Sequence, residues 1–247
     1  MIDLKGKTIL ITGASSGIGR ATAILCDKLS ARVILTGRNN HELIITQGLL
    51  KNKTEIILAD LSKEEDIIKL ISAMPCIDGF AHCAGIVKPY LIKYLKAKHI
   101  AEVMNINFTS GVLLSSTLLA SKKLNTGASV VFISSVSAWH PYIGGALYSA
   151  SKSALEAFAR SFALETASKK MRANIVAPAL VKTKILEETE QAYTKEEFEE
   201  ITQQYPLGIG KPEDVANTIV FLLSDLSNWI TGTTIKMDGG LLLSSKK

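Results

Sequence analysis

Cysteine is scarce in this chain and never paired in spacing: Cys26, Cys76 and Cys83 are scattered through 247 residues with no Cys-x-x-Cys. That pattern excludes a disulfide framework, offers no thiolate metal site and suits a reducing cytoplasm. Linkers are missing as well. No Pro-, Gly- or Ser-rich stretch, repeat or low-complexity tract interrupts the sequence, so one domain over residues 1–247 with a large core is expected. No apolar run reaches the ~18 residues of a membrane span. The first strand-like run starts at Lys7, which is too early for a signal peptide before it. Basic charge is present but nowhere concentrated. The net charge is +5 and the pI about 9.0, yet Lys and Arg are spread along the chain without a basic arm or a nucleic-acid module. The expectation is a soluble, cytoplasmic protein with no nucleic-acid or membrane partner and no metal.

What the chain does have is a series of short apolar, β-branched runs: residues 7–12, 31–36, 54–59, 77–82, 129–134, 172–177 and 233–237. Between them lie segments of helical period, such as Ile18, Ala21, Leu25 and Leu29, or the stretch from Val103 to Leu119. Strands apolar along their length that alternate with helices indicate a parallel sheet covered on both faces. This is an α/β, doubly wound Rossmann fold, whose ligands bind beyond the C-terminal ends of the strands.

Candidate site residues follow the strands. After the first comes TGASSGIGR, in which Gly13, Gly17 and Gly19 permit a tight turn and close approach of backbone to a pyrophosphate. Ser15, Ser16 and Ile18 lie between them, and a helix opens there. The G-x-x-x-G-x-G spacing differs from the G-x-G-x-x-G of the best-known dinucleotide sites. The second strand ends in Gly37 and Arg38, where an NAD site would carry an acid for the ribose 2′-hydroxyl. An arginine there can clamp a 2′-phosphate, so NADP(H) is the expected cofactor. The third strand ends in Asp60 and Leu61, placed to take the adenine amino group and ring. Asp60, or Ser62, is equally suited to cap the next helix.

Tyr-x-x-x-Lys occurs twice, at Tyr94/Lys98 and at Tyr148/Lys152. Only the second follows a strand ending in serine, Ser135, thirteen residues upstream. At i and i+4 the pair shares a helix face. An ammonium beside a phenol favours the phenolate and lowers its pKa, which suits a proton-transferring tyrosine. Ser135 is placed to hydrogen-bond an oxygen that gains negative charge.

On these residues the chain resembles a classical short-chain dehydrogenase/reductase along its whole length. The likeness rests on TGASSGIG, Asn107 in MNINFTSG, Ser135, YSASK, VAPALVKT and the tail from Pro206 to Gly240. It implies a seven-stranded Rossmann sheet and hydride transfer between nicotinamide and a carbonyl or alcohol. It also implies roles: Tyr148 as general acid/base, Lys152 on the ribose, Ser135 on the substrate, and Asn107 holding a water that links Lys152 to solvent. Pro178, Val181 and Thr183 are implied at the nicotinamide, the last two at its carboxamide. Length and tail most resemble 3-oxoacyl-acyl-carrier-protein reductases, which implies an acyl thioester substrate; a sugar, steroid-like or other small ketone stays open. A binding protein that senses NADP(H) without turnover is the reading outside the enzymes.

Several positions depart from the family pattern. Its usual Asn-Asn-Ala-Gly is here His82, Cys83, Ala84 and Gly85. The retained Ala84 and Gly85 still let backbone approach the adenosine ribose, while loss of the strand-stitching asparagines implies a modest stability cost. His82 is expected as a satisfied strand-end histidine and Cys83 as a small buried filler. Ala179 replaces a glycine after Pro178, and its β-carbon is expected to shift that loop slightly. Residues 182–208 read as a lid, or as solvated surface helices. Trp139, His140 and Tyr142 read as a substrate wall or a subunit contact. Lys169, Lys170 and Arg172 are expected beside the active-site edge, where an acidic carrier could dock. Small residues along helix 149–165 (Ser149, Ala150, Ser151, Ser153, Ala154, Ala157) suit close helix approach, and the resemblance implies a homotetramer or homodimer through it.

Overall fold

The computed structural model describes residues 2–183, 186 and 194–243. Each apolar run becomes a strand: β1 (Thr8–Thr12), β2 (Arg32–Thr36), β3 (Thr54–Ile56), β4 (Ile77–His82), β5 (Leu124–Ile133), β6 (Arg172–Pro178) and β7 (Thr234–Met237). They form one sheet in the order β3-β2-β1-β4-β5-β6-β7, with every pairing parallel. β3 is shorter than its apolar run. Its tail nevertheless stays extended, bonded from Ile57 N to Leu35 O and from Ala59 N to Gly37 O, and so delivers Asp60 to the strand ends.

Alternation along each strand sends side chains to opposite faces. Leu10, Phe80, Phe132 and Ile175 pack on one face with Leu155 and Phe162. Ile9, Ile11, Val131 and Val176 pack on the other with Ile219 and Leu222. The helices are α1 (Gly17–Lys28), α2 (Asn40–Gly48), α3 (Glu64–Ala73), α4 (Ala97–Met104), α5 (Ser110–Ala120), α6 (Ala146–Thr166), the exposed α7 (Lys195–Gln203) and α8 (Pro212–Leu223). Local chemistry marks their starts. In α8, Pro212 opens the first turn with Glu213 and Asp214 beside it, and Asp214 accepts from the Lys211 amide at 2.7 Å.

A π turn, Asn105–Thr109, joins α4 to α5 in one continuous helix, Ala97–Ala120. This helix is long and apolar enough to cross a membrane by length and composition. It packs instead on α3, α6 and β5, burying Val103, Asn107, Ser110, Gly111, Leu114, Ser115 and Leu118.

Parallel pairing puts Thr12, Thr36, His82, Ile133 and Pro178 at one edge of the sheet, and the segments after them form the site. Arg172 opens β6 and therefore lies at the opposite edge. It is 6% exposed and donates to Ser227 Oγ (2.8 Å) and the Ser224 carbonyl (3.0 Å). The expected docking cluster of Lys169, Lys170 and Arg172 is thus on the wrong side, and its arginine is a structural brace.

Candidate active site

The glycine loop is shaped by close backbone contact. Gly13 (φ +63) and Gly17 (φ +50) are left-handed, and a Cβ on Gly13 would lie 2.9 Å from the Ala84 amide nitrogen. A Cβ on Gly19 would lie 2.2 Å from the Gly13 carbonyl, so this glycine lets α1 start against the loop. Arg20 reaches back from α1 to bond the Ser15 carbonyl and the Glu42 carboxylate, and donates from Nε to Thr46 Oγ1 at 2.9 Å. Thr46 in turn donates to the Ala14 carbonyl (2.9 Å). Two loop carbonyls are thereby tied off. The first amides of α1, Gly17 to Gly19, have no intrahelical acceptor, and the first turn has neither a side-chain cap nor an acid.

These amides face a cleft of about 330 Å³. It is lined by expected residues that follow five of the strands: Gly13, Ser15, Ser16, Gly17, Ile18 and Gly19 from the loop after β1, then Arg38, Asp60, Leu61, Ala84, Gly85 and Thr183. Not foreseen in its lining were Gly37, Ala59, Ser62, Ile86, Ile106 and Ser110, and Cys83 was expected only as filler. Ile106 and Ser110 come from the helix at the π turn, whose side-chain placement a 3.6-residue period does not disclose. Arg38 is exposed and has no ion pair among the described residues. Asp60 caps nothing: the residue before α3 is Lys63, and Asp60 accepts instead from the Ser62 amide (3.1 Å) and hydroxyl (2.8 Å). Burial alone would raise its carboxyl, but those two bonds, with Arg38 and Lys63, hold it below the ordinary value. The uncapped start of α1, the exposed Arg38 and a cleft lined by Leu61 and Ile106 fit a nicotinamide dinucleotide.

None of the four catalytic candidates lines the cleft, but Asn107 and Lys152 lie close to its Gly85. A Cβ on Gly85 would lie 3.4 Å from both Asn107 Oδ1 and Lys152 Nζ, so both groups sit against this cleft residue. Asn107, fully buried, accepts from the Ile86 amide (2.8 Å) and donates to the Ile86 carbonyl (3.0 Å) and Ser151 Oγ (3.2 Å). Lys152 is 4% exposed and donates to the Ile133 carbonyl at 2.7 Å. Burial pulls its ammonium down to about 8. Tyr148 is half-buried, hydrogen-bonded to Ser135, with Lys152 Nζ 5.7 Å from its ring centre.

Here one expectation fails. The phenol is pushed up to about 12 by burial, against the Ser135 hydrogen bond and with Tyr142 adding to the rise. Lys152 does not lower it, because the lysine is turned to the Ile133 carbonyl. Pro178 and Val181 are buried beside the site without lining the cleft, and Val181 pairs with Gly210. Tyr94 and Lys98 do not share a helix: Tyr94 is 60% exposed in a short 3-10 turn, under Lys93 rather than Lys98.

His82 supplies the stitching that the missing asparagines suggested was lost. Its ring lies between Thr12 Oγ1 (3.1 Å from Nδ1) and Ser110 Oγ (3.3 Å from Nε2). Burial, with Lys152 nearby, holds it down to about 3, so it is neutral. Burial pushes the Cys83 thiol up to about 12, which leaves it unreactive. The Ala179 amide extends the ladder to Met237 O at 3.0 Å. Trp139 and Tyr142 are more than a third exposed, Trp139 under Lys236 Nζ at 4.9 Å and Tyr142 against Gly145. Of the expected lid, residues 184–185 and 187–193 lie outside the described residues. The rest includes α7, an exposed helix closed by a Thr194–Glu197 capping box.

Comparison with known proteins decides the family. A family model described as Enoyl-(Acyl carrier protein) reductase matches residues 13–242. The chain belongs to the short-chain dehydrogenase/reductase family. As such it is an oxidoreductase, and the family's chemistry links a carbonyl or alcohol to a nicotinamide cofactor. A 3-oxoacyl-acyl-carrier-protein reductase of Rickettsia felis is 36% identical over 98% of this chain and all of its own length. One of Aquifex aeolicus is 32% identical over 97% of this chain and 99% of its own. Among solved structures, a short-chain dehydrogenase/reductase of Brucella melitensis described as a glucose/ribitol dehydrogenase has a TM-score of 0.90. It is 28% identical and covers 97% of this chain and 98% of its own.

Proposed function

We propose that this short-chain dehydrogenase/reductase is an NADPH-dependent reductase of 3-oxoacyl thioesters presented on an acidic acyl-carrier protein, working in the cytoplasm. The observation that carries the reaction is the hydrogen-bonded hydroxyl pair, Ser135 and Tyr148, with Lys152 and Asn107 close to Gly85 of the cleft. When bound, the nicotinamide supplies the hydride. Tyr148, neutral at physiological pH, gives its proton to the oxygen that hydride addition makes basic, and Ser135 hydrogen-bonds the same oxygen. Lys152 would return a proton to Tyr148 and be recharged from solvent through a water held by Asn107. Arg38 supports the choice of NADP(H), since a 2′-phosphate would meet a free guanidinium where an acid would repel it. The thioester reading rests on the two carrier-protein reductases above, which the chain matches end to end.

NADPH oxidation by the purified protein with acetoacetyl thioesters, run beside NADH, tests this reading. Turnover is expected with NADPH and lost in Tyr148→Phe, while NADPH affinity is kept. Turnover of a sugar or polyol alone would favour the chemistry named for the Brucella protein. Tight NADPH binding unchanged by Tyr148→Phe, with no turnover of any carbonyl, would indicate a sensor instead. A homotetramer or homodimer through α6 is part of the proposal: Ala150, Ser153 and Ala157 point outward, whereas Ser149 and Ser151 are buried inside.

A further inference from the structure

Hydrogen-bond partners constrain the state of His82. Thr12 Oγ1 accepts from the Ala84 amide at 3.1 Å and keeps its own proton available for His82 Nδ1 at 3.1 Å. At the other end Ser110 Oγ spends its proton on the Ile106 carbonyl at 2.6 Å, so it can only accept from His82 Nε2 at 3.3 Å. Burial keeps the ring neutral, and the neutral form that makes both contacts carries its proton on Nε2 and accepts at Nδ1. The chain Ala84–Thr12–His82–Ser110–Ile106 runs in one direction, and its three side chains are at most 1% exposed.

Both ends of that chain matter to the site. Ala84 and Ser110 line the cleft. Ile106 belongs to the same π turn as Asn107, which, like Lys152, sits against Gly85. A π turn in a helix is held by contacts rather than by propensity, so its partners set its geometry. Gly111 completes the seat: a Cβ there would lie 3.1 Å from ring atoms Cδ2 and Nε2 of His82, so bare helix backbone admits the ring.

We propose that His82 is a positioning residue for the reduction: it locks the π turn that carries Asn107 to the Thr12–Ala84 wall of the cofactor cleft, so that relay and cleft keep one register. This rests on the reductase reading above. The tests are His82→Leu, which removes both bonds, His82→Asn, which restores a donor and an acceptor, and Ser110→Ala, which keeps the ring. His82→Leu is expected to lower kcat about tenfold while KM for the thioester moves less than about twofold, as loss of a buried hydrogen bond of ~1.4 kcal/mol would. His82→Asn should regain most of that rate.

Amide exchange over residues 105–111, measured with NADPH bound, should speed up in His82→Leu and in Ser110→Ala. The wild-type imidazole should give a nitrogen spectrum of the Nε2–H tautomer from pH 5 to 8. Wild-type kcat in His82→Leu, unchanged exchange in the π turn, or a ring protonated on Nδ1 would each overturn the proposal. If His82→Leu does not fold, Ser110→Ala and the wild-type spectrum decide alone. If the wild type itself reduces no thioester, the substrate reading has failed, and the exchange and tautomer results still judge His82.

Discussion

Tyr148 and Lys152 divide a task by their surroundings. Burial keeps the proton on the phenol, raised to about 12, and loosens the proton on the ammonium, lowered to about 8. A reductase needs a proton to give, so the cationic lysine is the form that can replenish the tyrosine. The rate of reduction should therefore be level through neutrality and fall as pH rises past about 8. A steady-state profile of NADPH oxidation checks this; a rate still level at pH 10 would contradict it. Arg38 governs a separate choice. Arg38→Leu should raise KM for NADPH by about tenfold or more, the worth of a charge-assisted hydrogen bond, and leave KM for NADH unchanged. Kinetics with both cofactors read the difference directly. Both candidates were legible because strand-end position and residue type coincide. The orientation of Lys152 was not, since it depends on a carbonyl nineteen residues away in sequence, at Ile133.

Among elements, the loop from β1 to α1 depends on glycine for close backbone approach. A Cβ at Gly19 would meet the Gly13 carbonyl, and neither backbone can yield without moving the strand or the helix. Gly127 has the left-handed φ of +80 but open space around it. Gly127→Ala should cost only about 1–2 kcal/mol, the strain of a left-handed alanine. Gly19→Ala should cost clearly more and weaken NADPH binding as well. Thermal melts with and without NADPH separate the two; equal losses would mean that the close approach is unimportant. The strands were readable from their apolar runs and the glycine loop from its spacing. The π turn was hidden, because the apolar pattern from Val103 to Leu119 runs through it and its cause lies in Ser110, Asn107 and their partners.

Taken whole, the molecule carries a buried neutral imidazole at its centre, and this couples stability to pH. The His82 pKa is depressed from 6.5 to about 3, so the unfolded chain binds one more proton than the folded one between those values. That contribution is fully present above pH 6.5 and is lost progressively as pH falls toward 3, with a slope of at most about 1.4 kcal/mol per pH unit. Urea titrations at pH 7 and pH 5 should show the loss, and His82→Asn should flatten it. A wild-type pH dependence unaltered in that variant would assign the acid sensitivity elsewhere. Assembly is the second property at this scale. Sedimentation at micromolar concentration should show a tetramer or dimer, and Ala157→Arg on the outward face of α6 should shift it toward monomer.

Composition and pattern alone determined the parallel α/β sheet, the strand-end placement of the glycine loop, and the types of the side chains proposed as catalytic. Those follow from periodicity and from chemistry carried by single residues, which are local properties of the chain. Only the tertiary structure decided that His82 replaces the missing asparagine contacts, that Arg172 braces the far edge of the sheet, and that Lys152 turns to a backbone carbonyl. Each depends on partners distant in sequence, and on burial, which sets the protonation of a group only once the chain has closed around it.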